Sequence, residues 1–187
     1  MELDTSLDFR IASLWNGGPA RGDEIVLVRV RALEGFLLIQ VEAPFHKNPA
    51  PPLPKGPCWG LWDYEVVELF VVGSLDAYTE IELGPHGHHL VLKFQKRREA
   101  FERELPIDYS SEIQGDCWKG EARIPWSYLP EDPGRANAYA IHGEGEQRRF
   151  LSVFPVLGPD PDFHRIEQFP AGSFPLRPPE RLPVDSE

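Results

Sequence analysis

Cysteine is scarce in this chain of 187 residues: Cys58 and Cys117 are the only two. That is too few for a disulfide framework or a thiolate zinc site, and it fits free thiols in a cytoplasmic protein. The start, residues 1–9, lacks the basic segment and apolar stretch of a secretory signal, and no apolar run is long enough to span a bilayer. Basic residues are also short: 19 Lys and Arg stand against 30 Asp and Glu, a net charge of -11. Nucleic acids and anionic membranes are held through Lys and Arg, so neither is an expected partner. The chain has no internal repeat, no long segment of helical apolar period, no glycine-rich phosphate cradle and no nucleophile elbow. A catalytic reading therefore has little to stand on.

Turn formers are plentiful, with twenty prolines and sixteen glycines. They separate short runs of alternating polarity, which is the pattern of strands. Residues 7–15 read as a first strand. Residues 24–42 form a hairpin broken at Glu34-Gly35, and 59–72, 77–83 and 88–94 follow as strands. Residues 118–124, 136–142 and 148–154 add three more, with a helical turn at 125–130. Residues 44–57 hold six prolines and read as a stiff loop, since proline cannot donate to a ladder. The charged segment 95–104 reads as an exposed turn or short helix, and 159–170 as a loop that ends in a last strand. Many short strands without recurrent helices predict an all-β protein, an antiparallel β-sandwich of roughly ten strands. Residues 1–174 form its single domain, and 175–187 a proline-rich acidic tail.

The stretch 59–72, WGLWDYEVVELFVV, is the most apolar strand, and both of its faces are largely apolar. Glu68 stands out there between Val66 and Phe70 on one face. Burying a carboxylate costs several kcal/mol unless it is bonded, paired or reaches a wet pocket, roughly 2–7 even for a neutral polar group. Glu68 and the nearby Trp59 and Trp62 thus mark a candidate ligand site, with Asp63 and Glu65 beside them. Each also has a plain structural reading: a buried acid tied to an Arg or to amides, and tryptophans capping the sandwich.

The histidines offer a second pattern. His86 and His89, with Glu82 across a tight 84–87 turn or His142 and His164 from elsewhere, would build a His/carboxylate metal site. Turn and surface histidines explain the same residues. A tight turn pairs Leu83 with His88, putting Tyr78, Glu80, Glu82, His89 and Lys93 on one face and Leu90 and Leu92 in the core. Asp160 and Asp162, around Pro161, are candidates for a structural calcium; no other cofactor is expected.

The order and spacing of several segments carry a family resemblance. They are LWDYEVVELF (61–70), EIELGPHGHHLVL (80–92), Trp118, EARIPWSY (121–128), AIHG (140–143) and PDFH (161–164). Together they resemble a family of small, mostly uncharacterised proteins of bacteria and animals. That family is similar to the family 9 carbohydrate-binding modules within the DOMON-like β-sandwiches. The resemblance implies a sandwich that clamps a terminal sugar between two aromatic rings and bonds its hydroxyls with acids, an amide and an Arg. By position, Trp62 matches a clamp aromatic, Glu68 a hydroxyl-binding acid, and His142 the neighbourhood of the amide. Arg149 is a further contributor. Where the modules carry their second aromatic, this chain has Gly143-Glu-Gly-Glu146. The expected function is a non-catalytic module for a small polar ligand, a saccharide foremost. The alternatives are a hydrolase or metal-dependent enzyme on the same sandwich, and a protein-interaction module presenting the Pro/Trp loop.

Overall fold

A computed structural model describes residues 6–179, and within them the chain is built of strands, 3-10 turns and loops, with no α-helix. One antiparallel sheet takes β1 (Ser6–Ile11), β3 (Val26–Leu33), β4 (Phe36–Pro44), β10 (Asp108–Gln114) and β11 (Cys117–Pro125), with apolar residues alternating in all but the edge strand β10. Its order is β1-β3-β4-β11-β10. The second sheet takes β2 (Ser13–Leu14), β5 (Gly56–Pro57), β6 (Val66–Val72), β7 (Tyr78–Leu83), β8 (His88–Lys96), β9 (Glu99–Glu102), β12 (Arg135–His142) and β13 (Arg149–Ser152). Its order is β2-β13-β12-β6-β7-β8-β5, with β9 also on β8. The expected hairpin is present: Leu33 pairs with Phe36, and Gly35 takes the positive φ of 85° that a two-residue loop needs.

The sheets pack face to face as a β-sandwich. Ile11, Val28, Ile39 and Trp118 from one meet Val67, Leu69, Ile81 and Val91 from the other in a single buried cluster. The far face of the larger sheet carries a second apolar layer of Val66, Phe70, Tyr78, Leu92 and Tyr139, roofed by Phe163, Ile166 and Phe169. Every residue of β6 is therefore buried, as its sequence implies. Burying each large apolar side chain contributes about 1.5–3 kcal/mol, so the roof over the outer face is strongly held.

Several local expectations differ from the structure. The first strand breaks at Ala12, so that β1 joins the smaller sheet and β2 the larger. The charged segment 95–104 holds the expected turn, at Arg97-Arg98, but as the bend of a hairpin between the end of β8 and β9, and no helix. Residues 166–168 form a 3-10 turn where a last strand was expected, and β10 was not foreseen. The 84–87 turn is one residue looser than assumed, because the Gly84 amide donates to the His88 carbonyl at 2.9 Å. Leu83 then pairs with His89, Glu82 with Leu90 and Glu80 with Leu92. That slip sends His89 and Lys93 to the opposite face from Glu80 and Glu82. Of the tail, Leu176 is buried against the core at 2% exposure, while residues 180–187 lie outside the described residues. No helix among the described residues is long and apolar enough to cross a membrane.

Candidate functional site

The outer face of the larger sheet gathers three acids. Glu68 on β6 pairs with Glu82 on β7, and Glu80 lies opposite the next outward residue of β6, Phe70. A ligand atom from each carboxylate lies within 4.8 Å of the others. Their exposures are only 2%, 4% and 0% for Glu68, Glu80 and Glu82. Both oxygens of Glu82 are without a hydrogen-bond partner. The contact closest to an ion pair is from His164 Nε2 to Glu80 at 4.0 Å, and burial pushes that imidazole down to about 4, so it is neutral at pH 7. Burial raises all three carboxyls, Glu80 to about 8, and mutual repulsion raises Glu68 and Glu82 further.

Glu68 and Glu80 form part of the wall of a cleft of about 580 Å³. Trp59, Trp62 and Asp63 line it from the 3-10 turn Leu61–Asp63 and its approach. Gly60 ahead of that turn has φ +80°, which sets the bend. The two indoles meet edge to face, centroids 5.1 Å apart, and the Arg103 guanidinium lies 5.1 Å from the Trp59 ring. Arg148 ties the turn down, donating to the carbonyls of Asp63 (2.8 Å) and Trp62. Further aromatic lining comes from Phe150 and Phe163, the latter stacked on Tyr139 at 3.8 Å. His164 Nδ1 and the Tyr78 hydroxyl share a 2.7 Å bond at the base. The cleft thus combines aromatic faces, buried acceptors and the cations Arg98, Arg103 and Arg148.

The structure brings together four of the residues singled out from sequence: Trp59, Trp62, Asp63 and Glu68. The remaining three, Glu65, His142 and Arg149, lie in a separate buried knot. Glu65 accepts the amides of His46 (3.0 Å) and Asn48 (3.3 Å), and burial lifts it to about 7 despite these bonds. Arg149 grips Glu24 at 2.6 and 2.8 Å, and His142 bonds the same carboxylate at 3.1 Å. His142 also stacks on His46 at 3.6 Å. Burial raises Glu24, but Arg149, the Arg21 amide and His142 outweigh it and hold the acid at about 2. Strand parity explains the division: Ile141 and Arg148 line the cleft while their neighbours His142 and Arg149 do not.

The metal candidates also separate. His86 Nε2 meets the Asn48 carbonyl at 3.1 Å, and His89 is buried with neither ring nitrogen bonded. Asp160 is paired with Arg165 at 2.6 Å, and Asp162 with Arg98 at 2.7 Å and with Arg97. Only Glu82 falls in a cluster of metal-ligating geometry. Sequence reasoning missed Glu80, Arg148, Phe150 and Phe163. The i, i+2 spacing of Glu80 and Glu82 was the available signal, but the assumed register set them beside His89 and Lys93 rather than Leu90 and Leu92.

No family model matches the chain. A mouse protein (Mus musculus), UPF0462 protein C4orf33 homolog, is 41% identical over 177 residues, covering 90% of this chain and 92% of that protein. The structure of a putative carbohydrate-binding protein from Bacteroides uniformis superposes with a TM-score of 0.67 at 17% identity, over 88% of this chain and 83% of that one. A family 9 carbohydrate-binding module from Caldicellulosiruptor kristjanssonii, in complex with cellotriose, gives a TM-score of 0.47 at 13% identity, over 72% and 68% of the chains. The first of these structures shares the fold; the second likeness is too slight to bear on the site.

Proposed function

The chain belongs to the UPF0462 family, and from the geometry of its cleft we propose that it is a non-catalytic cytoplasmic module that binds a small polyhydroxylated ligand, a saccharide foremost. The observation that carries this reading is the meeting of Glu68 and Glu80 with Trp59, Trp62, Phe150 and Phe163 in one cleft. A sugar ring has apolar C–H faces that stack on indole or phenyl, and an equatorial belt of hydroxyls that needs both acceptors and donors. Glu68 and Glu80 supply acceptors; Arg98, Arg103 and Arg148 supply donors. A cleft of about 580 Å³ falls within the roughly 300–1,000 Å³ of small-molecule sites. The aromatic wall missing after His142 is supplied instead by Phe150 and Phe163. The sharing of a fold with a putative carbohydrate-binding protein supports the same reading.

Tryptophan fluorescence tests it. Titration with a panel of mono- and disaccharides should give a saturating change that Trp62→Ala abolishes. A flat response across the panel rejects saccharide binding. The close approach of Glu68 and Glu80 also favours a hydrolytic alternative, since paired carboxyls serve glycoside cleavage. Prolonged incubation with the same disaccharides should release no monosaccharide; release would replace the binding module with an enzyme.

A further inference from the structure

We propose that Glu68, Glu80 and Glu82 together hold a divalent cation, calcium in preference to magnesium, in the floor of the cleft. This goes beyond the saccharide reading and does not depend on it.

The chain shows how it satisfies buried acids elsewhere. Glu24 has Arg149 and His142, and Glu65 has two backbone amides. The three acids of the cleft floor have nothing comparable. Glu82 is fully buried, its two oxygens have no hydrogen-bond partner, and it lies among two more carboxylates. Arg148 and Arg98 act on Glu68 and Glu80 through their charge, but neither forms a hydrogen bond to them. His164 Nε2 stands 4.0 Å from Glu80, too far for a hydrogen bond, and its Nδ1 is taken by the Tyr78 hydroxyl. Three ionised carboxylates in an apolar layer are untenable without compensation, and a divalent cation supplies most of it.

The donor set selects the ion. Carboxylate oxygens suit hard cations, and one from each acid lies within 4.8 Å of the others. Calcium takes roughly six to eight oxygens in flexible geometry and accepts bidentate carboxylates, whereas magnesium demands a near-ideal octahedron and gives up its waters reluctantly. A floor of buried carboxylates therefore suits calcium better. The ion's remaining coordination positions open to the cleft on the side of Glu68 and Glu80, where water or ligand hydroxyls complete the shell.

The competing arrangement is a set of protonated acids, in which Glu80 and Glu82 share a proton between them. Calorimetry on chelator-stripped full-length protein at neutral pH, titrated separately with Ca²⁺ and Mg²⁺, separates the two. One equivalent of Ca²⁺ should bind, with Mg²⁺ at least about tenfold weaker, and Tb³⁺ should show luminescence sensitised by the nearby tryptophans. Glu82→Gln should weaken Ca²⁺ binding by at least about tenfold, and Glu68→Gln should do the same if the first variant does not fold. Absence of Ca²⁺ binding up to about 1 mM overturns the proposal, as does unchanged affinity in a folded Glu82→Gln or Glu68→Gln protein. Trp62→Ala should retain Ca²⁺ while losing saccharide, so failure of one reading is distinguishable from failure of the other.

Discussion

Glu68 and Glu82 stand directly opposite each other across neighbouring strands, buried on the same face of the sheet. Like charges in that position destabilise a sheet, so the pair departs from what packing alone would choose. Burial and mutual repulsion hold both carboxyls well above the ordinary range.

A pH dependence follows. In metal-free protein the folded state keeps protons on these acids that the unfolded chain releases near 4.5. The folded state then binds more protons, so stability falls as pH rises from about 4.5 toward the Glu80 value of about 8. Glu65, raised to about 7, acts in the same sense. His89, His142 and His164, lowered to about 4 from 6.5, act oppositely but only below 6.5. Thermal melts of chelator-treated protein should therefore show Tm falling between pH 6.5 and 8, and Glu80→Gln should flatten the slope.

Trp62→Ala should weaken saccharide binding by at least about tenfold, the worth of about 1.4 kcal/mol. Trp62 is only partly buried, so the far-UV spectrum and Tm should change little. Calorimetry and a thermal melt on the same sample check both statements.

Arg149→Ala should do the reverse. It leaves Glu24, 1% exposed, without its guanidinium and should destabilise the fold by about 3 kcal/mol. The knot lies outside the cleft, so saccharide affinity should be unchanged. Urea unfolding and a binding titration separate the two effects.

Gly143 has φ +79°, and a Cβ there would meet the Gln147 carbonyl oxygen at 2.5 Å. Gly143→Ala should therefore cost more than about 1 kcal/mol, measurable by the same urea unfolding. The Gly143-Glu-Gly-Glu146 segment is shaped by the backbone, with the Gly143 amide donating to Asn48 at 3.0 Å.

The sandwich was legible in sequence because most of its strands alternate cleanly or, like 66–72, are apolar on both faces. Asp108–Gln114 escaped notice because it is an edge strand of Ser, Glu and Gln that buries little, so no apolar period marks it. Half of the cleft was legible for the same reason: Glu68 is conspicuous in an apolar run, and Trp59 and Trp62 precede it. The other half depends on parity. A one-residue looser turn at 84–87 reassigns the faces of β8, and adjacent residues such as His142 and Ile141, or Arg148 and Arg149, go to different sites. Local residue type does not encode which of two neighbours faces the cleft; the pairing across strands does.

The most direct test of the account is calorimetric titration of wild-type and Glu68→Gln protein with the saccharide panel. One saturable site in the wild type, weakened by at least about tenfold in the variant, is the predicted result. Equal affinity in the two proteins, or no saturable heat with any member of the panel, would contradict it.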